Sequence, residues 1–321
     1  MNPKLSIIVT SPSISRLPDI STLIDSLESQ GERDFEFIFV AENSPELLER
    51  VEEYCIGKGV RGSFVVNDGA KGLSGGRNVG IQHSKAPLVA MIDDDVILPS
   101  SWVGAVISTL NDDPGAIGMT GPAYPLWESG NLAWLPIEFY WLISCTGWIK
   151  FANPRDVRSA WGMNMAFRRE AFDIAGRLFD LSGYHKPVAE DLEFSLRLRT
   201  VSERRIVFSE RAYLWHKVHP YRVSPRFVSE RSRHIGTSRY VLKKMRVDLD
   251  RERSLLIRTV RNIPRSLSNC RGNRTRLVTL YALVVYSVVL GYLIAASGID
   301  HETDVFLKAS EVIVQTNQHT A

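Results

Sequence analysis

Cysteine is scarce. The chain has three in 321 residues, Cys55, Cys145 and Cys270, and no C-x-x-C pair. A zinc ribbon and a disulfide scaffold are therefore not expected, and the sparse, odd count suits a reducing cytoplasm. No G-K-[ST] closes a glycine loop, so there is no P-loop, and no G-x-G-x-x-G follows the first apolar run, so a dinucleotide site is not expected either. No basic n-region precedes the first strand pattern, so no secretory leader is read there. What is present is an ordinary globular balance, 44% hydrophobic and 23% charged, which excludes a disordered, collagen-like or polytopic chain. The length fits one large domain or two modest ones, with a core that needs no staple.

The net charge of +3 is unevenly spread. Residues Arg239–Arg276 hold twelve Lys/Arg against three acids, whereas the tail from Asp300 onward holds four acids and one Lys. Nucleic acid is one partner of so basic a segment, but the adjoining residues point to a membrane, and no nucleic acid is expected. Leu277–Ile299 is a run of 23 residues without a charge. As a helix it measures roughly 35 Å, enough to cross a ~30 Å hydrocarbon core with some tilt. Its basic flank precedes it, so the positive-inside rule places the body in the cytoplasm and residues 300–321 outside. The expectation is a single-pass cell-membrane protein with its body on the cytoplasmic side. Residues 239–276 are then expected along the anionic inner leaflet.

Four apolar runs, Leu5–Val9, Phe35–Val40, Ser63–Val66 and Leu88–Ile92, recur every 25–30 residues with helical patterns between them, Asp19–Gln30, Pro45–Gly57 and Ser74–Ser84. Ser100–Leu110 follows the last. Near-continuous apolar strands are buried on both faces, as in a parallel sheet built of βαβ units. Residues 1–110 thus read as half of a doubly wound α/β sheet, whose ligands bind beyond the carboxyl ends of the strands. Those ends carry Thr10-Ser11, Glu42-Asn43-Ser44, Asn67-Asp68 and Asp93-Asp94-Asp95, a polar and acidic rim.

Three adjacent carboxylates repel one another, so Asp93-Asp94-Asp95 needs a neutralising partner. Acids two apart on extended backbone point to the same side, and hard cations such as Mg²⁺ or Mn²⁺ suit oxygen ligands so placed. The glycine-rich stretch from Gly69 to Gly80 brings Lys71, Arg77 and a helix start toward the rim, an arrangement that holds anions. In the second half, Trp161–Arg169 reads as a short strand entering a helix. Glu190-Asp191 opens another helix, where the dipole favours an ionised carboxylate of the kind a general base must be, or a plain cap.

These residues, in this order, resemble the family 2 glycosyltransferases, which have the GT-A fold. Phe39–Ser44 sits where that family has Val-Asp-Asp-Gly-Ser. Lys71–Gly80 matches its loop before the metal motif, Asp93-Asp94-Asp95 with Pro99 matches its D-x-D, and Gly162–Arg169 with Glu190–Arg199 matches its acceptor block. Val9-Thr10-Ser11 replaces its usual proline-threonine-tyrosine. The resemblance covers residues 4 to 240. It implies a GT-A type, doubly wound, mostly parallel α/β sheet, followed by the basic helical segment and one transmembrane helix. The corresponding divisions are 1–238 (1–110 for the nucleotide sugar, 111–238 for the acceptor), 239–276, 277–299 and 300–321.

The resemblance also implies site roles. Asp95 coordinates Mn²⁺ or Mg²⁺ at the donor diphosphate, and Asp93 contacts the ribose or the metal shell. Glu42 holds the nucleobase, and Arg77 and Asn78 line the donor pocket, with Thr10, Asp68 and Asp94 in the same donor set. Gly162, Asn164 and Glu190 lie on the acceptor side, with Asp191 as general base. His216 sits where relatives place a metal- or phosphate-contacting histidine, and His219 is the weaker candidate. One base and no enzymic nucleophile implies inversion, with a UDP- or GDP-type sugar as donor. The aromatic stretch Leu132–Phe151 fills a core or lies at a bilayer interface. With the tether it favours a polyprenyl-linked acceptor, as in lipid-linked oligosaccharide assembly for protein glycosylation. A cell-surface polysaccharide is the alternative. Readings of other classes are a membrane-anchored nucleotidyltransferase and a non-catalytic sugar-nucleotide-binding module. Tyr184, His185 and Lys186 are read as a lid from position alone.

Overall fold

The structure is a computed structural model that describes residues 3–67, 69, 71–129, 134–146, 155–178, 189–244 and 274–299. The expected lid residues, Asp68, most of the basic segment and the tail from 300 onward lie outside the described residues. The chain divides into two compact units. The first comprises Met1–Leu126, Ser144–His185 and Glu190–Lys217, and the second comprises Trp127–Ile143, Lys186–Ala189 and Val218–Ala321.

The first unit opens with the alternation expected from the apolar runs: β1 (Leu5–Ser11), α1 (Leu17–Glu28), β2 (Phe35–Glu42), α2 (Pro45–Lys58), β3 (Gly62–Asn67), α3 (Leu73–His83) and β4 (Leu88–Ile92). Then come β5 (Val96–Ile97), α4 (Trp102–Asp112), β6 (Ala116–Thr120), β7 (Ala123–Trp127), β8 (Arg155–Val157), β9 (Asn164–Arg168), α5 (Glu170–Ala175), α6 (Glu190–Ser202), β10 (Arg205–Phe208) and β11 (Leu214–Val218). Eight strands form one sheet in the order β3-β2-β1-β4-β9-β6-β10-β8. β9 is antiparallel to both its neighbours, β4 and β6, and β8 is antiparallel to β10; the β3-β2-β1-β4 and β6-β10 pairings are parallel. A small second sheet has the order β5-β11-β7.

Successive side chains of a strand face opposite ways, and β1 shows why its apolar run is unbroken. Ile7 and Val9 enter one core with Phe37, Phe39 and Trp102, while Ile8 enters the other with Ile38, Met91 and Phe167. A sheet buried on both faces selects such runs. Glycine brings α3 close to β1: a Cβ on Gly80 would overlap the Ile8 side chain. A Cβ on Gly76 would lie 2.8 Å from Glu42 Oε1 and 3.0 Å from Thr10 Cγ2. The helix start is thereby pressed onto the polar rim of the sheet.

The second unit contains a 3-10 helix at Ile137–Ile143, another at Pro220–Val223, α7 (Pro225–Lys244) and α8 (Arg274–Ala296). Part of the aromatic stretch fills a core, with Phe139, Leu142 and Ile143 buried. The Phe139 ring meets Tyr281 at 4.7 Å, and Tyr281 Oη donates to Glu138 Oε1 at 2.5 Å. α8 is the one helix among the described residues long and apolar enough to cross a membrane, by length and composition.

Candidate active site

β4 ends at Ile92, and the next three residues fan out to different partners. Asp93, Asp95 and His216 offer ligand atoms that all lie within 4.8 Å of one another. His216 Nε2 is 3.2 Å from Asp95 Oδ1 and 3.6 Å from Asp93 Oδ2. The ring is fully buried, and its Nδ1 lies 3.1 Å from the Lys217 carbonyl oxygen. A carbonyl only accepts, so Nδ1 carries the proton and Nε2 faces the two carboxylates. Nε2 itself makes no hydrogen bond. Only positive charge between these groups makes the arrangement favourable: a proton on Nε2, or a cation in its place. Two oxygens and one imidazole nitrogen, oriented by a backbone carbonyl behind the ring, form a donor set that fits Mn²⁺ or Mg²⁺.

Asp94 turns to other partners. Its carboxylate accepts from Ser11 Oγ at 2.5 Å and from Arg16 Nη2 and Nε at 2.6 and 3.2 Å. Burial pushes the Asp94 carboxyl above its ordinary value, although Arg16 and Ser11 pull the other way. Asp94, expected in the donor set, is held in an internal ion pair with Arg16. Arg16 Nη2 also reaches Asp95 Oδ2 at 2.9 Å. One oxygen of Asp95 is held by Arg16 while the other faces His216. Burial works to lower the pKa of the Arg16 guanidinium, yet Asp94 and Asp95 outweigh it and raise it.

Arg77 connects this group to the second half of the sheet. Its side chain is 2% exposed. It donates to Asp93 Oδ1 at 3.1 Å, to the Gly162 carbonyl at 2.6 Å and to Glu190 Oε1 at 3.2 Å. Burial works to raise the Asp93 carboxyl, but His216 and Arg77 together hold it below its ordinary value. Asp191, one residue past Glu190 in the first turn of α6, accepts from the Gly162 N–H at 2.9 Å through Oδ2 and from the Leu192 N–H at 2.8 Å through Oδ1. At the ends of β2 and β3, Glu42 accepts from Asn67 Nδ2 at 2.8 Å and from the Gly72 N–H at 3.2 Å. Thr10 adjoins it through Gly76.

Three other expected residues have partners of their own. The Asn78 amide brackets the Leu178 backbone, accepting from its N–H at 3.0 Å and donating to its carbonyl at 3.1 Å. Asn164 is taken up by Trp102 Nε1 and the carbonyls of Pro122 and Ala212. A buried amide must satisfy both its ends, and both asparagines do so by holding separate backbone segments together. His219 is not in the metal group and pairs with Glu128 at 2.6 Å. Arg16 is the residue that sequence reasoning missed. Its one signal is a lone cation just past the β1 rim.

Residues 7–174 match the sequence profile of glycosyl transferase family 2. The chain belongs to this family. A glucosyl-dolichyl phosphate glucuronosyltransferase of Haloferax volcanii is 26% identical over 246 residues, covering 74% of this chain and 77% of the relative. An uncharacterized glycosyltransferase of Bacillus subtilis, EpsJ, is 27% identical over 72% of this chain and 64% of its own length. Among solved structures, the mannosyltransferase PcManGT from Pyrobaculum calidifontis, in complex with GDP-Man and Mn²⁺, aligns with a TM-score of 0.56 at 13% identity over 98% of this chain and 81% of its own. S. aureus TarS 1-349 with UDP-GlcNAc gives 0.53 at 16% identity over 98% and 92%. The fold of this family 2 member is of the GT-A type, and it is a glycosyltransferase with a candidate divalent-metal site.

Proposed function

We propose that the protein is an inverting, metal-dependent glycosyltransferase that moves a sugar from a UDP- or GDP-type nucleotide sugar to a membrane-associated, polyprenyl-linked acceptor. The observation that carries this is the linkage through Arg77 of the Asp93/Asp95/His216 group to the Glu190–Asp191 turn. The relative named for a glucosyl-dolichyl phosphate substrate supports the acceptor class. Neighbours holding GDP-Man and UDP-GlcNAc support the donor class.

In this reading Glu42, positioned by Asn67 at the ends of β2 and β3, receives the nucleoside end of the donor, with Thr10 beside it. Asp93, Asp95 and His216 would hold Mn²⁺ or Mg²⁺, which when bound neutralises charge developing on the departing diphosphate. Asp191 takes the proton of the acceptor hydroxyl while that oxygen attacks the anomeric carbon opposite the leaving nucleoside diphosphate. Its two backbone N–H bonds fix both carboxylate oxygens before the acceptor arrives, the preorganisation that direct displacement requires. Arg77 keeps base and metal ligands in one arrangement from Gly162. Nothing in the chain's chemistry calls for a covalent sugar–enzyme stage.

The test is incubation of the detergent-purified chain with a panel of UDP and GDP sugars and polyprenyl phosphates, with and without a sugar already attached. Mass spectrometry identifies the glycolipid and NMR its anomeric configuration. A product retaining the donor configuration refutes direct displacement, and transfer to soluble sugars alone refutes the acceptor class.

A further inference from the structure

Among the described residues, α8 is at once the most apolar helix and one of the most specifically packed, and the two facts constrain each other. Its positions Leu280, Val284, Ser287, Gly291 and Ala295 form one buried stripe along the whole helix. The opposite stripe, Val278, Ala282, Val285, Val289 and Leu293, is exposed, the valines and Leu293 between 44% and 57%. The buried stripe is partly covered by α7, and the fit is close. A Cβ on Gly291 would overlap the Arg233 backbone, and one on Gly236 would overlap the Val288 carbonyl. Ser229 and Ser287 hydroxyls meet at 2.9 Å, and Thr237 Oγ1 donates to the Gly291 carbonyl at 3.3 Å. Small residues on both helices bring the backbones together, as at glycine-mediated helix crossings.

α7 is not a membrane helix. Its twenty residues include Arg226, Glu230, Arg231, Arg233, Arg239, Lys243 and Lys244. If α8 crossed a bilayer from Leu277 onward, Ser287 would lie about 15 Å deep and Gly291 about 21 Å deep, at 1.5 Å per residue. The α7 segment clasped there would carry Arg226, Glu230 and Arg233 to the middle of a ~30 Å core, where charges are strongly unfavourable. Arg226 and Arg233 are exposed, and although Arg226 pairs with Glu230 at 2.9 Å, that pair would itself face lipid. A full crossing and the α7 clasp exclude each other.

We propose that α8 lies flat in the headgroup–acyl boundary of an anionic bilayer. Its stripe Val278–Leu293 is immersed, and α7 rides above it on the aqueous side. α8 is apolar nearly all round, so it is the charged outer face of α7 that makes the pair amphipathic, and an amphipathic unit lies in the plane of an interface. The ends fit this placement: Arg274 and Arg276 open α8, and Lys243 and Lys244 close α7. Tyr286, 65% exposed, suits the same depth. A second copy of the chain docking on this stripe would bring cations against cations, whereas an anionic lipid surface complements them.

The test uses the full chain carrying Cys270→Ser, since Cys55 and Cys145 are buried. Val278→Cys, Val285→Cys, Val289→Cys and Leu293→Cys are nitroxide-labelled singly in phosphatidylcholine–phosphatidylglycerol vesicles, and depth is read from collision with oxygen and a water-soluble nickel chelate. The expected result is one shallow depth for all four labels. A crossing helix instead places them about 1.5, 12, 18 and 24 Å from the near face, and that gradient overturns the proposal. Four labels reached equally by the nickel chelate, with no lipid contact, overturn it as well. The readout does not depend on glycosyl transfer, so failure here and failure of the enzymatic reading are distinct.

Discussion

Arg77→Met is the substitution with the most to say about how the site is held. It keeps the volume and removes the charge from a side chain that is 2% exposed and bonded to Asp93, Glu190 and the Gly162 carbonyl. Deleting one partner of a buried ion pair costs about 3–5 kcal/mol, because the remaining charge stays buried. Asp93 is 25% exposed and Glu190 13%, so water screens part of this and the lower end applies, about 3 kcal/mol. For a unit of this size that lowers Tm by about 6–12 °C. The loss has a pH signature. In the native chain the Asp93 carboxyl is held below its ordinary value, so its stabilising contribution is present above the unfolded-state value of about 3.9 and disappears as pH falls through the folded-state value. Without Arg77, burial and Asp95 are opposed by His216 alone, so the carboxyl of the variant binds a proton earlier on acidification than the native one and relieves part of its own penalty. The gap between native and variant protein therefore narrows as pH drops from 7 toward 4. Urea unfolding at pH 7 and pH 4.5 measures it. A loss under about 1 kcal/mol at pH 7, or one equal at both pH values, refutes Arg77 as the buried cation of the site. Arg77→Lys keeps the charge but not the three-way fork, and falls between the two.

Asp95→Ala should abolish Mn²⁺ binding in titration calorimetry, and chelator should stop turnover of the native enzyme until Mn²⁺ or Mg²⁺ is returned; full activity in excess EDTA contradicts the metal site. Asp191→Asn should lower turnover at least ~10²-fold with donor affinity unchanged, because the group acts on the acceptor; lost donor affinity with retained turnover would move Asp191 to the donor side. Arg16→Gln should weaken Mn²⁺ binding about 10–100-fold, as expected when a group orienting a ligand carboxylate is removed. Arg16→Lys should recover part of that, and paramagnetic resonance of free Mn²⁺ reads both; tighter binding in Arg16→Gln would mean that Arg16 competes with the cation.

Much of the large sheet was legible because its physics is local. Strands buried on both faces must be apolar throughout, so Leu5–Val9 and Leu88–Ile92 announce β1 and β4, and the helices between them follow from 3.6-residue spacing. β1 and β2 each run two residues past the apolar run, to Ser11 and Glu42, because polar residues at the rim still pair in register. The small sheet was not legible. β5 has two residues, and β11 buries only alternate positions, which leaves no run to read. In the site, the acids were conspicuous because adjacent carboxylates demand a partner. Their division was not, since Asp94 parts from Asp93 and Asp95 through Ser11 and Arg16, some eighty residues earlier in the chain. The partners of Asn78 and Asn164 were hidden for the same reason. The backbone groups they satisfy lie 42 to 100 residues away in sequence, and no local pattern reports a long-range amide bond.

The inconspicuous small sheet is what completes the metal group. His216 sits on β11 opposite Val96, and Trp215 opposite Ile97, so the strand just after the three acids also sets the height of the ring. With two residues in β5, strand pairing alone specifies this register weakly. A slip of one residue would turn Trp215 or Lys217 inward and His216 outward. The neighbour of His216 supplies what pairing lacks. The Lys217 N–H donates to the Asp95 carbonyl at 2.9 Å, tying the two ligand-bearing backbones directly. On the opposite side of the strand, Lys217 Nζ reaches Asp19 Oδ1 at 3.0 Å and Thr22 Oγ1 at 2.9 Å on α1. Asp19 in turn lies 3.6 Å from Arg16, which holds Asp95. Register, ring orientation and carboxylate orientation thus close into one loop of contacts around the cation position. Beside the direct backbone bond, α1 thus adds a second tie between the histidine strand and Asp95 while contributing no ligand itself.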